Sequence, residues 1–247
     1  MTLMPFYRLS YAARRDHLAQ HAHLTVAQLA LIAARRQATD DQLIENYLTT
    51  YGIPEGVAVN LRVDGHDVMV PMVTEEPSVI AAASNGGRLL MSEVGITTTV
   101  KQRELMGQIV FSHVTNQAHL REWLMAHESR LLEVANAAHP SLLSHGGGAR
   151  SIRVRCLPPD WVSLDLFIDV GEAMGANLVN TLAEAVATEI RTQLDVDILM
   201  SILSNYATHS LATATCAVPV AQLATRPLTG QQVAARIYQA SGLAQVD

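Results

Sequence analysis

The sequence predicts an α+β protein: a mixed large domain over residues 1–104 and 205–247, interrupted by a βαββαβ unit over residues 105–204. Three observations predict it. Near residue 105 the rhythm of apolar residues changes and then runs strand, helix, strand, strand, helix, strand. Before that point, Asp64-Gly65 sits between two valine-rich runs, a hairpin signal because both central turn residues need positive φ. The length, 247 residues at 49% hydrophobic content, suits one large domain or two modest ones with a real core.

In chain order, Ser10 is placed to cap a short helix running toward His21. Thr25 with Gln28, and Thr39 with Gln42, have the spacing of capping boxes, which satisfy orphan N–H groups at a helix start. Leu43, Ile44 and Tyr47 extend the second helix, and Gly52 and Pro54 stop it. Strands are expected over 57–63 and 68–72, followed by an apolar, small-residue helix that opens after Pro77. In the inserted unit, strands over 108–114, 151–157, 162–170 and 196–203 alternate with one long helix over 117–144 and a second over 173–193. Leu182, Val186 and Ile190 share one face of the second helix. This order is the split βαβ arrangement of a ferredoxin-like sandwich. A last helix covers 231–243.

Composition excludes several classes. A net charge of −6 argues against nucleic-acid binding, which needs basic faces to neutralise phosphates. No apolar run reaches the ~18 residues of a spanning helix, so no membrane association and a cytoplasmic location are expected. Two cysteines, Cys156 and Cys216, support no disulfide framework and are expected to be buried as small hydrophobes. Of 17 basic side chains only Lys101 is a lysine, so chemistry that needs an ammonium has one source here.

Four features could carry chemistry. Glu75-Glu76 precedes a proline beside an alanine-rich segment, where burial and like charge would raise one pKa and leave a proton to donate. A solvated acidic turn is the plainer reading. The segment from Glu172 to Asn177 joins a strand end to a helix start, where N–H groups and the helix dipole attract anions such as a pyrophosphate. Gly175 there permits close backbone approach, and Asn177 and Asn180 offer amides from consecutive turns, although tight helix–sheet packing explains the same small residues. Gly146-Gly147-Gly148 lacks the ending of a P-loop and reads as a helix stop. His17 and His21 lie one turn apart without a third ligand, so no metal site is expected.

Together these segments resemble bacterial, class II hydroxymethylglutaryl-CoA reductases. The resemblance rests on Ile44-Glu45-Asn46, on Pro54-x-Gly56-Val57-Ala58-x-Asn60, and on the run from Asp64-Gly65 through Val70-Pro71-Met72-Val73-x-Glu75-Glu76-Pro77-Ser78. It continues in Ser144-x-Gly146-Gly147-Gly148, in Ala173-Met174-Gly175-Ala176-Asn177-x-Val179-Asn180-Thr181 and in Ile202-Leu203-Ser204-Asn205. It implies a two-step reduction of HMG-CoA to mevalonate with NADPH or NADH and no metal. It also implies a large domain that binds the CoA thioester, an inserted nucleotide-binding domain, and homo-oligomers built from dimers. By position, Glu76 falls on the catalytic glutamate and Ser78 lies near the hydroxymethylglutaryl group. Glu172, Met174, Gly175, Asn177 and Asn180 fall in the cofactor segment. His139 stands where NADH-preferring relatives carry an aspartate, which leans the expectation to NADPH.

The departures from the pattern are Thr49 for a glycine, Glu172 for an aspartate, and Val94-Gly95-Ile96 for a glycine pair. The catalytic lysine, aspartate and histidine of the family have no counterpart in residues 1–247, so the chain alone is expected to be inactive unless a complementing C-terminal chain supplies them. The alternative is a non-catalytic nucleotide- or CoA-binding module, or the partner subunit of an intact paralogue.

Overall fold

The computed structural model describes residues 5–74 and 76–246, which fall into two compact units. The first takes the chain up to Arg62, His66–Glu93, and the stretch from Val218 onward; the second takes Val63–Gly65 and Val94–Ala217.

The first unit opens with helices α1 (Tyr11–Ala22), α2 (Val26–Ala34) and α3 (Asp40–Leu43). Ser10 Oγ accepts from Ala13 N at 3.3 Å, and the Thr25–Gln28 capping box is formed. The expected second box is not. Thr39 is itself helical, at φ −65° and ψ −39°, and no side chain caps α3. The acidic residues there serve tertiary contacts instead: Asp41 pairs with Arg14 at 2.9 Å and Arg36 at 3.0 Å, and Asp40 accepts from Thr50 Oγ1 at 2.6 Å. The helix therefore ends at Leu43, well before Gly52, and Asn46 turns the chain at φ 61°. Buried Tyr47 fixes the returning loop, its hydroxyl accepting from Gln37 N at 2.8 Å.

Strands β1 (Glu55–Val63) and β2 (His66–Val73) form the expected hairpin, with Asp64 at φ 49° and Gly65 at φ 81°. Helix α4 (Ser78–Leu90) starts directly after Pro77, and Ser84 Oγ accepts from Val59 N of β1 at 3.1 Å.

The second unit contains β3 (Thr97–Val100), β4 (Leu105–Ser112), α5 (Gln117–Ala126), α6 (Glu128–Ala138) and α7 (Pro140–Ser144). These are followed by β5 (Gly148–Leu157), β6 (Trp161–Asp169), α8 (Ala176–Gln193), β7 (Asp197–Leu203) and β8 (Ala212–Thr215). Four strands pair antiparallel in the order β5-β6-β4-β7. One sheet face carries the core: Ile109, Phe111, Leu164, Leu166 and Ile168 meet Leu120, Leu124 and Leu131 of α5 and α6, with Leu182, Val186 and Ile190 of α8.

The single long helix expected over 117–144 is three helices. Pro140 disfavours the helical region for the residue before it, and His139 accordingly sits at φ −143°, ψ 73°. His127 makes the earlier break, with its ring stacked on Trp123 at 4.0 Å. Nothing in the sequence signals the β3–β8 ribbon, because Thr-Thr-Thr-Val and Ala-Thr-Ala-Thr are exposed throughout and carry no apolar alternation.

The chain closes in the first unit with α9 (Gly230–Ala244), started by a Thr229–Gln232 capping box that the sequence reading passed over.

Candidate substrate and cofactor sites

Thr74, Glu76 and Ser78 form a small knot between β2 and α4. Thr74 Oγ1 accepts from Glu76 N at 3.2 Å. The Glu76 carboxylate accepts twice from Ser78, from its hydroxyl at 2.5 Å and from its backbone N–H at 3.1 Å. Both side chains are exposed. The expectation of a raised carboxyl pKa is overturned for Glu76: the Ser78 hydroxyl, then its N–H, hold the acid below its ordinary value, and desolvation opposes them weakly. Two donors on an ionised carboxylate outweigh burial that is not there. Glu75 lies outside the described residues.

The loop from β6 to α8 holds most of the expected cofactor residues. Gly175 is buried and left-handed, at φ 89°, and begins α8 without any side-chain cap. A Cβ there would come within 2.8 Å of Leu105 Cδ1 and Val170 Cγ2. Both the conformation and the space therefore demand glycine. Met174 is 79% exposed, and Asn177 is exposed. Asn180 turns inward instead, its Oδ1 accepting from Leu203 N at 2.8 Å, so its amide oxygen anchors the end of β7. Glu172 forms an ion pair with Arg103 at 2.9 Å. Behind the loop, Asp169 accepts from Gly171 N at 2.9 Å and pairs with Arg150 at 3.2 Å; the N–H and then the guanidinium keep its carboxyl below the usual range.

His139 and Glu172, far apart in sequence, line one groove of about 500 Å³ with Ser141, His145, Gly171 and Ala173. Asn180 is not among its lining residues. Ser141 organises both imidazoles: its hydroxyl lies 3.1 Å from His139 Nδ1, and its carbonyl accepts from His145 Nδ1 at 2.7 Å. The sequence reading missed Ser141 and His145; their closeness to His139 across the Pro140 turn was the signal available.

Other expectations resolve separately. Cys156 and Cys216 are both exposed, not buried, because Cys156 lies on edge strand β5 and Cys216 follows exposed β8. His17 and His21 stack at 4.1 Å. Among the described residues no three His, Cys, Asp or Glu side chains group as metal ligands, and no helix is long and apolar enough to cross a membrane.

A model of the hydroxymethylglutaryl-coenzyme A reductase family matches residues 10–247. The chain belongs to that family. It is 34% identical over 214 residues to the 3-hydroxy-3-methylglutaryl-coenzyme A reductase of Archaeoglobus fulgidus, covering 85% of this chain and 49% of that protein. A probable reductase of Borreliella burgdorferi is 27% identical over 164 residues, 66% of this chain and 37% of its own length. The chain thus spans about half, or less, of the curated relatives it matches. Among solved structures, a class II 3-hydroxy-3-methylglutaryl-CoA reductase from Streptococcus pneumoniae, bound to NADPH in open conformations, superposes with a TM-score of 0.79 at 36% identity. That match covers 100% of this chain and 68% of the other. In this family member Thr49 donates its hydroxyl to Ile32 O at 2.9 Å.

Proposed function

We propose that residues 1–247 supply the thioester-binding and nicotinamide-binding parts of a hydroxymethylglutaryl-CoA reductase. In this reading the first unit is part of the large substrate domain and the second is an inserted ferredoxin-like nucleotide domain. The strand order β5-β6-β4-β7, with one helical layer packed on the sheet, supports the second assignment.

The observation that carries the reading is the uncapped, left-handed Gly175 start of α8 next to a groove that joins His139 to Glu172. First-turn N–H groups without a side-chain cap suit a pyrophosphate, so the residues present fit a dinucleotide. Gly171, Met174 and Asn177 would contact it, and His139 and His145 would face its ribose. When bound, the nicotinamide provides the hydrides. Arg103 already neutralises Glu172, and neither imidazole repels a 2′-phosphate, which favours NADPH over NADH. The NADPH carried by the Streptococcus pneumoniae relative agrees with this choice.

Glu76 and Ser78 act on the substrate. Reduction places negative charge on the thioester carbonyl oxygen, which then requires a proton or a nearby positive charge. With Ser78 donating to it, Glu76 stays ionised. A substrate hydroxyl or carboxylate that draws Ser78 away removes the main stabiliser of that anion. The Glu76 pKa then returns to its ordinary value; cover by the bound thioester raises it further, and a carboxyl that has taken up a proton from solvent passes it to the carbonyl oxygen. Lys101, the sole lysine of these 247 residues, follows β3 and is exposed. In this reading a lysine, an aspartate and a histidine from outside these 247 residues, in a dimer-based assembly, complete the machinery.

Calorimetry on the 247-residue chain tests the nucleotide reading. NADPH should bind about tenfold tighter than NADH, the value of one charge-assisted hydrogen bond. HMG-CoA should elicit negligible NADPH oxidation from this chain alone. If neither dinucleotide binds at millimolar concentration the nucleotide assignment fails, and rapid mevalonate formation would refute the need for groups outside these residues.

A further inference from the structure

The second unit has another cavity, at the end of its sheet opposite Gly175. Strand β4 starts at Leu105, beside Gly175, and ends at Ser112, which lines a cavity of about 280 Å³. Leu120 and Trp123 from α5 face Leu194 and Val196 from the connection between α8 and β7. Trp123 is held in place: its ring stacks on His127 at 4.0 Å and 20°, and the His127 Nδ1 lies 2.7 Å from its carbonyl oxygen.

The rim is acidic. Asp195 and Asp197 both line the cavity, and no lysine or arginine does. Asp197 accepts from the Ser112 hydroxyl at 2.7 Å and sits 3.0 Å from Nδ1 of His113, whose backbone is left-handed at φ 55°. Among the described residues, no hydrogen bond or ion pair engages the Asp195 carboxylate. Arg191 lines the neighbouring hollow with Asp195 but forms no ion pair with it. His113 and His119 are the other titratable groups at the mouth. A slot with Leu120, Trp123, Leu194 and Val196 on its walls, a clamped indole and the exposed Asp195 carboxylate at its rim together favour a ligand with an apolar body and one positive charge.

We propose that this cavity binds a small organic cation, with a ring-sized apolar body against Trp123 and a primary ammonium on Asp195. The volume suits a single ring with a short arm, below the size of a whole dinucleotide. The site is independent of the reductase reading and stands at the other end of the sheet from it.

Trp123 gives a direct readout once Trp161, the only other tryptophan, is replaced. Fluorescence of the Trp161→Phe chain is titrated with phenethylamine, 2-phenylethanol and 3-phenylpropionate. Affinities for ligands of this size fall in the millimolar range. The amine should bind a few-fold tighter than the alcohol, as one exposed ion pair provides. The acid should bind weakest. Adding Asp195→Asn should erase the preference for the amine while the alcohol still binds, which also shows the slot intact. No response to the amine, equal binding of all three, or a preference that survives Asp195→Asn would overturn the proposal.

Discussion

Ser78 and Glu76 show how far one hydroxyl can set the state of an acid. The sequence placed two glutamates beside an alanine-rich helix and suggested burial; the fold leaves Glu76 in solvent with both Ser78 donors on it. Ser78→Ala should therefore raise the Glu76 pKa toward its ordinary value of about 4.3. Carbon-detected titration of the Glu76 carboxyl reads this directly, and an unchanged midpoint would mean that the hydrogen bond is not what holds it. Asn180 teaches the converse. An amide that looked available in sequence is engaged with Leu203 N, a residue of another element. Which polar atoms are free is a tertiary property, so residue type and spacing alone could not rank Asn177 above Asn180.

At the scale of elements, legibility followed local chemistry. Asp64-Gly65, Ser10 and the Thr25–Gln28 pair act within a few residues of themselves, and each did what its side chains require. The Thr39–Gln42 pair failed because Asp40 and Asp41 found Thr50, Arg14 and Arg36 instead. The break at His139 is legible too, since Pro140 announces it. The start of α8 is the element on which the nucleotide reading turns. Gly175→Ala forces a left-handed alanine and drives Cβ into Leu105 and Val170. It should destabilise the second unit by about 2–4 kcal/mol in urea unfolding. A loss under about 0.5 kcal/mol would show that the loop repacks freely.

Across the whole molecule, six carboxylates are shifted in one direction. Hydrogen-bonding or ion-pair partners lower the pKa of Asp41, Asp67, Glu76, Asp165, Asp169 and Asp197. Asp165 matters most for stability, because it is fully buried on the sheet face away from the helices. Arg155 holds it at 2.6 Å, with Arg153 at 2.9 Å and the Ser163 hydroxyl at 2.7 Å. Burial is the largest influence on its pKa and pushes it up; these donors together outweigh burial and bring it down. A depressed folded pKa stabilises above the unfolded value of about 3.9 and is lost as pH falls through the folded one. Thermal stability should therefore drop steeply below about pH 4. Asp165→Asn should cost about 2 kcal/mol at pH 7, discounted for partly exposed arginines, and should flatten the acid limb. An acid limb of unchanged slope in the variant would place the pH dependence elsewhere.

The sequence by itself determined the succession of the four strands from 105 to 204, the hairpin turn, the apolar face of α8 and the family. Each depends on neighbours a few positions away or on a contiguous motif. Only the tertiary structure decided that His139 and His145 share a groove with Glu172, that Arg103 neutralises that glutamate, and that Asp165 is buried between two arginines. Those facts arise where strands and helices distant in sequence are packed side by side, and the cost of burying or freeing a charge is set by what arrives there.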